Sequence, residues 1–197
     1  AAAACRARGG RPHILNDNPM FDIASAVAYL ETTLEILDQC AALGARPDGL
    51  YMSSSGKGQA GLVLARRLLN AGFTVHGVTA TREHDVAVRT AAIAEAAAGR
   101  LGLDARFTPD EIINDAGFVG EGYGIPSAEA VEATRLFART EGVILDPVYT
   151  GKAAAGMIAQ SRAGRWRRDQ TLVFVHTGGT PAIFTWEDLW LAAPGAG

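Results

Sequence analysis

Lysine is nearly missing from this sequence: of its 18 basic side chains only Lys57 and Lys152 are lysines, and the rest are arginines. Chemistry that needs a primary amine therefore has two side chains to draw on, or must borrow one from elsewhere. Cysteine is as scarce. Cys5 and Cys40 lack CxxC spacing, so neither a disulfide framework nor a thiolate zinc site is expected. His13, His76, His84 and His176 form no HxxxH or HExxH pair, which removes the usual histidine metal site, and no metal is expected. No apolar run approaches the roughly 20 residues that a membrane span needs. A net charge of −3 gives no electrostatic reason to expect nucleic acid or an anionic membrane as partner. These absences read as a soluble, cytoplasmic chain. Its start, AAAACRARGG, has too short an apolar part and turns basic too soon for a signal peptide. It also lacks an initiator Met, as a processed chain or the middle of a longer coding sequence would.

What is present is an alternation of helix-period and strand-period segments. Residues 29–43 place Leu30, Leu34, Leu37 and Ala41 at helical spacing, with Gly44 as a stop. DGLYMS (48–53) reads as a buried strand, 59–71 as a helix and FTVHGVT (73–79) as a strand. A long Ala-rich helix is expected over 83–101, then a weaker strand over 105–108 and a Gly-rich loop at 117–127. A helix over 128–140, a strand over 142–147, a helix over 151–163, a strand over 171–175 and a last helix from Pro181 complete the pattern, and the LAAPGAG tail is expected to fray. Such alternation predicts an α/β fold, a three-layer open and mainly parallel sheet with helices on both faces. Ligands of such sheets bind at the carboxyl ends of the strands. Loops 53–58, 146–151 and 176–180 all sit there, and 117–127 borders the same edge.

The stretch YMSSSGKGQAGL (51–62) admits several readings. A Walker A loop needs G-x-x-x-x-G-K-[S/T], and here Tyr51 and Gly58 occupy the two anchor positions. Gly56, Gly58 and Gly61 match the dinucleotide pattern G-x-G-x-x-G, yet no acidic residue closes the second strand before Glu83. A monophosphate cradle is the third reading: hydroxyls and N–H groups of 55–58 at a helix N-terminus, where partial positive charge favours an anion. A Gly-rich strand-to-helix turn that binds nothing is the fourth.

Taken together, SSGKGQAGL, GEGYGIPS, EGVILDPVYTGKAAAGMI and VFVHTGGTPAIF resemble the D-cysteine desulfhydrase and 1-aminocyclopropane-1-carboxylate (ACC) deaminase family. These are pyridoxal-phosphate enzymes of the tryptophan-synthase-β fold type. The resemblance runs in order from about residue 8 to residue 186. It implies pyridoxal 5'-phosphate as cofactor, with Ser55, Gly56, Lys57, Gly58 and Gln59 around its phosphate. Lys57 stands where the family usually has Gly, and Gly58 where it has Thr, so a hydroxyl is lost and an ammonium gained. Thr177, with Gly178 beside it, matches the residue that meets the pyridine nitrogen; Tyr149 and Tyr123 match active-site tyrosines. Lys152 accompanies the motif in the family without bonding the cofactor.

The family's cofactor-bonding lysine and its substrate-carboxylate loop lie earlier in a longer chain, and neither has a counterpart here. Residues 16–22 also replace a GGSN-like turn. The resemblance thus implies the C-terminal part of such an enzyme, with residues 1–24 a remnant of the small domain and 25–197 the large cofactor-binding domain. The expected reaction is elimination or deamination of a small amino acid to a 2-oxo acid and ammonia. A separate N-terminal chain or fragment completing the fold, and a homo- or hetero-oligomer, are the expected partners. A diverged phosphate-binding module without chemistry is the other expectation.

Overall fold

The structure, a computed structural model, describes residues 1–13, 19–82 and 85–191. Glu83, His84, the 16–18 part of the NDNPMFD segment and the tail from 192 lie outside these. A short helix α1 (Ala2–Ala7) precedes the long α2 (Pro19–Ala42). β1 (Pro47–Ser53), α3 (Lys57–Leu68), β2 (Thr74–Val78), α4 (Val86–Arg100) and β3 (Ile113–Asp115) follow. α5 (Ala128–Glu141), α6 (Thr150–Arg162), β4 (Thr171–Val175) and a short α7 (Glu187–Leu191) complete the chain. The four strands lie in the order β3-β2-β1-β4, with every pair parallel.

Strand alternation sends neighbouring side chains to opposite layers. Leu50, Met52 and Val75 pack with α2, α3 and α4 around Leu62, Leu64, Ile93 and Ala94. On the other face Tyr51 stacks on His76 with ring centroids 4.6 Å apart, and Trp166 meets both rings edge-on. α5 and α6 cover that side through Ala133, Leu145, Ala154 and Phe174. The expected three-layer α/β architecture is therefore present. Among the described residues no helix is long and apolar enough to cross a membrane.

Several element boundaries differ from the expectations above. α2 begins ten residues before 29, opened by Pro19, whose ring presets a helical φ. No strand forms over 105–108. That stretch is instead held to α4, where Glu95 accepts the Phe107 N–H at 2.9 Å, and a capped 3₁₀ turn at Pro109–Glu111 delays pairing until Ile113. Residues 142–147 also join no ladder. The Ile144 carbonyl accepts side-chain hydrogen bonds, from His176 Nε2 (3.0 Å) and Thr180 Oγ1 (3.4 Å), and Asp146 turns the chain directly into α6. The last helix opens as a 3₁₀ turn over Thr180–Trp186 before α7.

Candidate active site

The carboxyl ends of β1, β2 and β4 open on one cavity of about 670 Å³. Ser55, Lys57 and Gly58 reach it from the β1–α3 turn, Thr177 and Gly178 from the loop after β4, and Tyr123 and Tyr149 from the two remaining loops. These seven residues were expected from sequence, and they share one wall-to-wall space. Gly56 and Gln59 lie just behind that lining. Gly56 has φ +107 and gives its N–H to Ser54 Oγ at 3.1 Å, so the chain turns there in a conformation suited to glycine. Gln59 is fully buried. Its side chain accepts from Ser54 Oγ (2.7 Å) and Asn114 Nδ2 (2.9 Å) and donates to the Ile113 carbonyl (2.8 Å), which ties the loop to β3.

α3 starts at Lys57, and the first N–H groups of an α-helix have no partner within the helix. With the helix dipole behind them they present partial positive charge to the cavity. Lys57 Nζ lies 2.8 Å from Asp22 Oδ1, and Arg89 Nη2 lies 3.0 Å from Asp22 Oδ2. Burial pulls the Asp22 carboxyl upward, but hydrogen bonds and charge from Lys57 and Arg89 outweigh it and hold the group below the usual carboxylate range. Two cations facing one carboxylate leave this wall net positive.

At another side of the cavity the Tyr123 and Tyr149 hydroxyls hydrogen-bond to each other, with ring centroids 6.0 Å apart. The Tyr149 phenol is pushed up to about 12, first by that hydrogen bond and then by burial, so it stays protonated at neutral pH. Two buried charges set the pair in place. Asp146 is fully buried and accepts the Val148 and Tyr149 N–H groups at 2.9 and 2.7 Å through Oδ2, with the Thr150 N–H and hydroxyl on Oδ1. Lys152, equally buried, donates to the Val119 carbonyl at 2.7 Å and the Gly122 carbonyl at 3.1 Å. Its amine is held below the ordinary lysine value by burial and then by Arg82. It braces the loop of Tyr123 and does not line the cavity, in keeping with the role of accompanying the motif. Asp146 went unassigned in the sequence, although a capping carboxylate with Thr four residues on is a readable signal.

α2 supplies three more groups that the sequence reading left unassigned: Asp22, Ser25 and Tyr29, spaced three and four residues apart on one helix face. No group of metal-ligating side chains occurs among the described residues.

A parallel sheet with a helix N-terminus and a phenol pair around one cavity at its carboxyl edge defines an α/β protein with a cavity at the usual ligand-binding edge of such sheets. More particularly, the chain belongs to the family described as pyridoxal-phosphate dependent enzymes, whose model matches residues 1–178. It is 37% identical over 186 residues to a D-cysteine desulfhydrase of Salmonella paratyphi C, covering 94% of this chain and 56% of that protein. A D-cysteine desulfhydrase of Salmonella typhi is 36% identical over the same shares. A crystal structure of an ACC deaminase homologue superposes with a TM-score of 0.77 at 27% identity, over 96% of this chain and 56% of that one. The chain thus spans little more than half the length of these relatives. Pyridoxal phosphate is the cofactor of the family, and the residues present fit it: a cationic, hydroxyl-bearing helix N-terminus for its phosphate, and the hydroxyl groups of Tyr123, Tyr149 and Thr177, with no carboxylate, elsewhere in the lining.

Proposed function

We propose that this chain is the cofactor-binding part of a pyridoxal-phosphate-dependent lyase or deaminase. The substrate is a small amino acid, and the products are a 2-oxo acid and ammonia. The observation that carries this reading is the convergence of Ser55, Lys57, Tyr123, Tyr149 and Thr177 on one cavity. In this reading residues 1–24 are the remnant of a smaller domain and 25–197 belong to the larger cofactor-binding one.

Bound pyridoxal phosphate supplies a conjugated ring that stabilises negative charge at the substrate carbon bearing the amino group. Ser55 and the first N–H groups of α3 would hold the phosphate, and Lys57 would add charge. The Thr177 hydroxyl would face the pyridine nitrogen without the negative charge that keeps it protonated, which would suit elimination or deamination more than transamination. Tyr149 holds its proton on the phenol oxygen and is placed to donate it to a leaving or rearranging group, while Tyr123 fixes the direction of that hydroxyl. Asp146 and Lys152 hold both tyrosines still.

Covalent attachment of the cofactor needs an amine. Lys57 is paired with Asp22 and Lys152 is buried on loop carbonyls, and the lysine that the family resemblance puts earlier in a longer chain is the source proposed for it. The test is to combine the chain with the matching N-terminal part of a relative and assay D-cysteine and 1-aminocyclopropane-1-carboxylate. Formation of a 2-oxo acid with ammonia supports the reading. Tight cofactor binding with no turnover of either amino acid in any pairing supports the second reading, a phosphate-ligand-binding module without chemistry. That reading draws on the pairing of Lys57 with Asp22 and the burial of Lys152 on loop carbonyls.

A further inference from the structure

The two glycines of the α3 turn that carry ordinary φ values, Gly58 and Gly61, both make room for one residue of α2. A Cβ on Gly61 would sit 2.2 Å from the Ala26 carbonyl oxygen and 2.6 Å from Tyr29 Cβ, so α2 and α3 cross in direct backbone contact there. That crossing fixes where the Tyr29 side chain starts. A Cβ on Gly58 would lie 3.0 Å from Tyr29 Cε2 and Cζ, and 2.8 Å from Met52 Cε. The phenol ring therefore occupies the space that a side chain of residue 58 would take. Cζ carries the hydroxyl, so the hydroxyl is bonded to an atom only 3.0 Å from where a Cβ on residue 58 would sit.

Tyr29, Gly58, Lys57 and Ser55 line the same cavity. Among the described residues the Tyr29 hydroxyl has no hydrogen-bond partner, although the other half-buried or buried tyrosines, Tyr51 and Tyr149, are each bonded through theirs. Burial raises the Tyr29 phenol above its ordinary value, which keeps it a neutral donor at physiological pH. The phenol is a donor without a protein partner among the described residues, and it lines the same cavity as the start of α3, Lys57 and Arg89.

We propose that the Tyr29 hydroxyl donates a hydrogen bond to the phosphate of the bound ligand, and that Gly58 exists to admit its ring. The inference rests on the cofactor reading above and adds a phosphate donor from a different helix. Binding without a side chain on residue 58 is thus compensated from α2, and phosphate recognition is coupled to the α2–α3 crossing at Gly61.

The experiment is calorimetric titration of the 197-residue chain with pyridoxal phosphate and, in parallel, with pyridoxal. Tyr29→Phe keeps the ring and removes the hydroxyl alone. It is expected to weaken pyridoxal phosphate binding roughly 10- to 100-fold, the span for a hydrogen bond to a charged group, and to leave pyridoxal binding unchanged. Gly58→Thr alone is expected to weaken phosphate binding by displacing the ring. Gly58→Thr with Tyr29→Ala restores it, whereas Gly58→Ala with Tyr29→Ala does not, since only Thr brings a hydroxyl back to that place. Equal affinity of wild type and Tyr29→Phe for pyridoxal phosphate overturns the proposal while leaving the cofactor reading standing. A wild-type chain that does not prefer pyridoxal phosphate to pyridoxal overturns the cofactor reading, and this proposal with it.

Discussion

The hydroxyls of Tyr123 and Tyr149 hydrogen-bond to each other although their residues lie on separate loops, one braced by buried Lys152 and the other turned by buried Asp146. A phenol that shares its hydrogen bond in this way gives up its proton late. In Tyr123→Phe the largest cause of the raised Tyr149 value is gone, and its phenol is expected to fall from about 12 toward the ordinary 10.0. Ultraviolet titration of phenolate absorbance in the single variant, read against Tyr149→Phe, checks this. Titration of Tyr149 unchanged by the loss of Tyr123 would show that the pairing has no chemical consequence.

In the reconstituted enzyme Tyr149→Phe is expected to lower kcat by roughly 10²- to 10⁴-fold, the range for loss of a positioned acid or base. The Michaelis constant should move much less. A kcat within twofold of wild type would remove Tyr149 from the proton-transfer step.

Lys152 is the larger structural risk. Replacing it with Met keeps most of its volume but leaves the Val119 and Gly122 carbonyls without their donor. Orphaning buried carbonyls costs about 1–3 kcal/mol, which urea denaturation would resolve as a lower midpoint. Unchanged stability would mean that water replaces the ammonium without loss.

His76 links stability to pH. It is 1% exposed, its Nδ1 has no hydrogen-bond partner, and its pKa is lowered to about 4 by burial and then by nearby Arg165, with Asp115 pulling the other way. The unfolded chain binds a proton near 6.5, so between pH 6.5 and 4 it holds more protons than the folded chain. Stability is therefore complete above about 6.5 and declines as pH falls toward 4, by up to ~3 kcal/mol. His76→Phe should flatten that part of the stability–pH curve, while a curve of the same slope would assign the loss to other groups.

Much of this was legible beforehand. The turn after β1 announces itself because Gly and Ser crowd the junction of an apolar strand and a helical period, and DPVYT and HTGG repeat the device at later junctions. Less legible was β3, since the run EIIND has only two apolar residues and its pairing depends on Gln59 reaching across from α3. Residues 142–147 show the reverse error: an apolar run with strand propensity stays out of the sheet because Asp146 captures the following N–H groups. The α2 contribution was visible as a helix but not as a wall of the site. Which face of a helix meets a neighbour is decided by a crossing such as that of Ala26 over Gly61, and no periodicity reports it.

The central claim is that the turn at Ser55–Gly58 holds the cofactor phosphate. Ser55 is exposed on that turn and lines the cavity, so Ser55→Glu introduces a carboxylate there without disturbing the core. The direct measurement is calorimetric titration of wild type and Ser55→Glu with pyridoxal phosphate. Saturable binding by the wild-type chain that the glutamate abolishes is the predicted result; binding that Ser55→Glu leaves intact would contradict it.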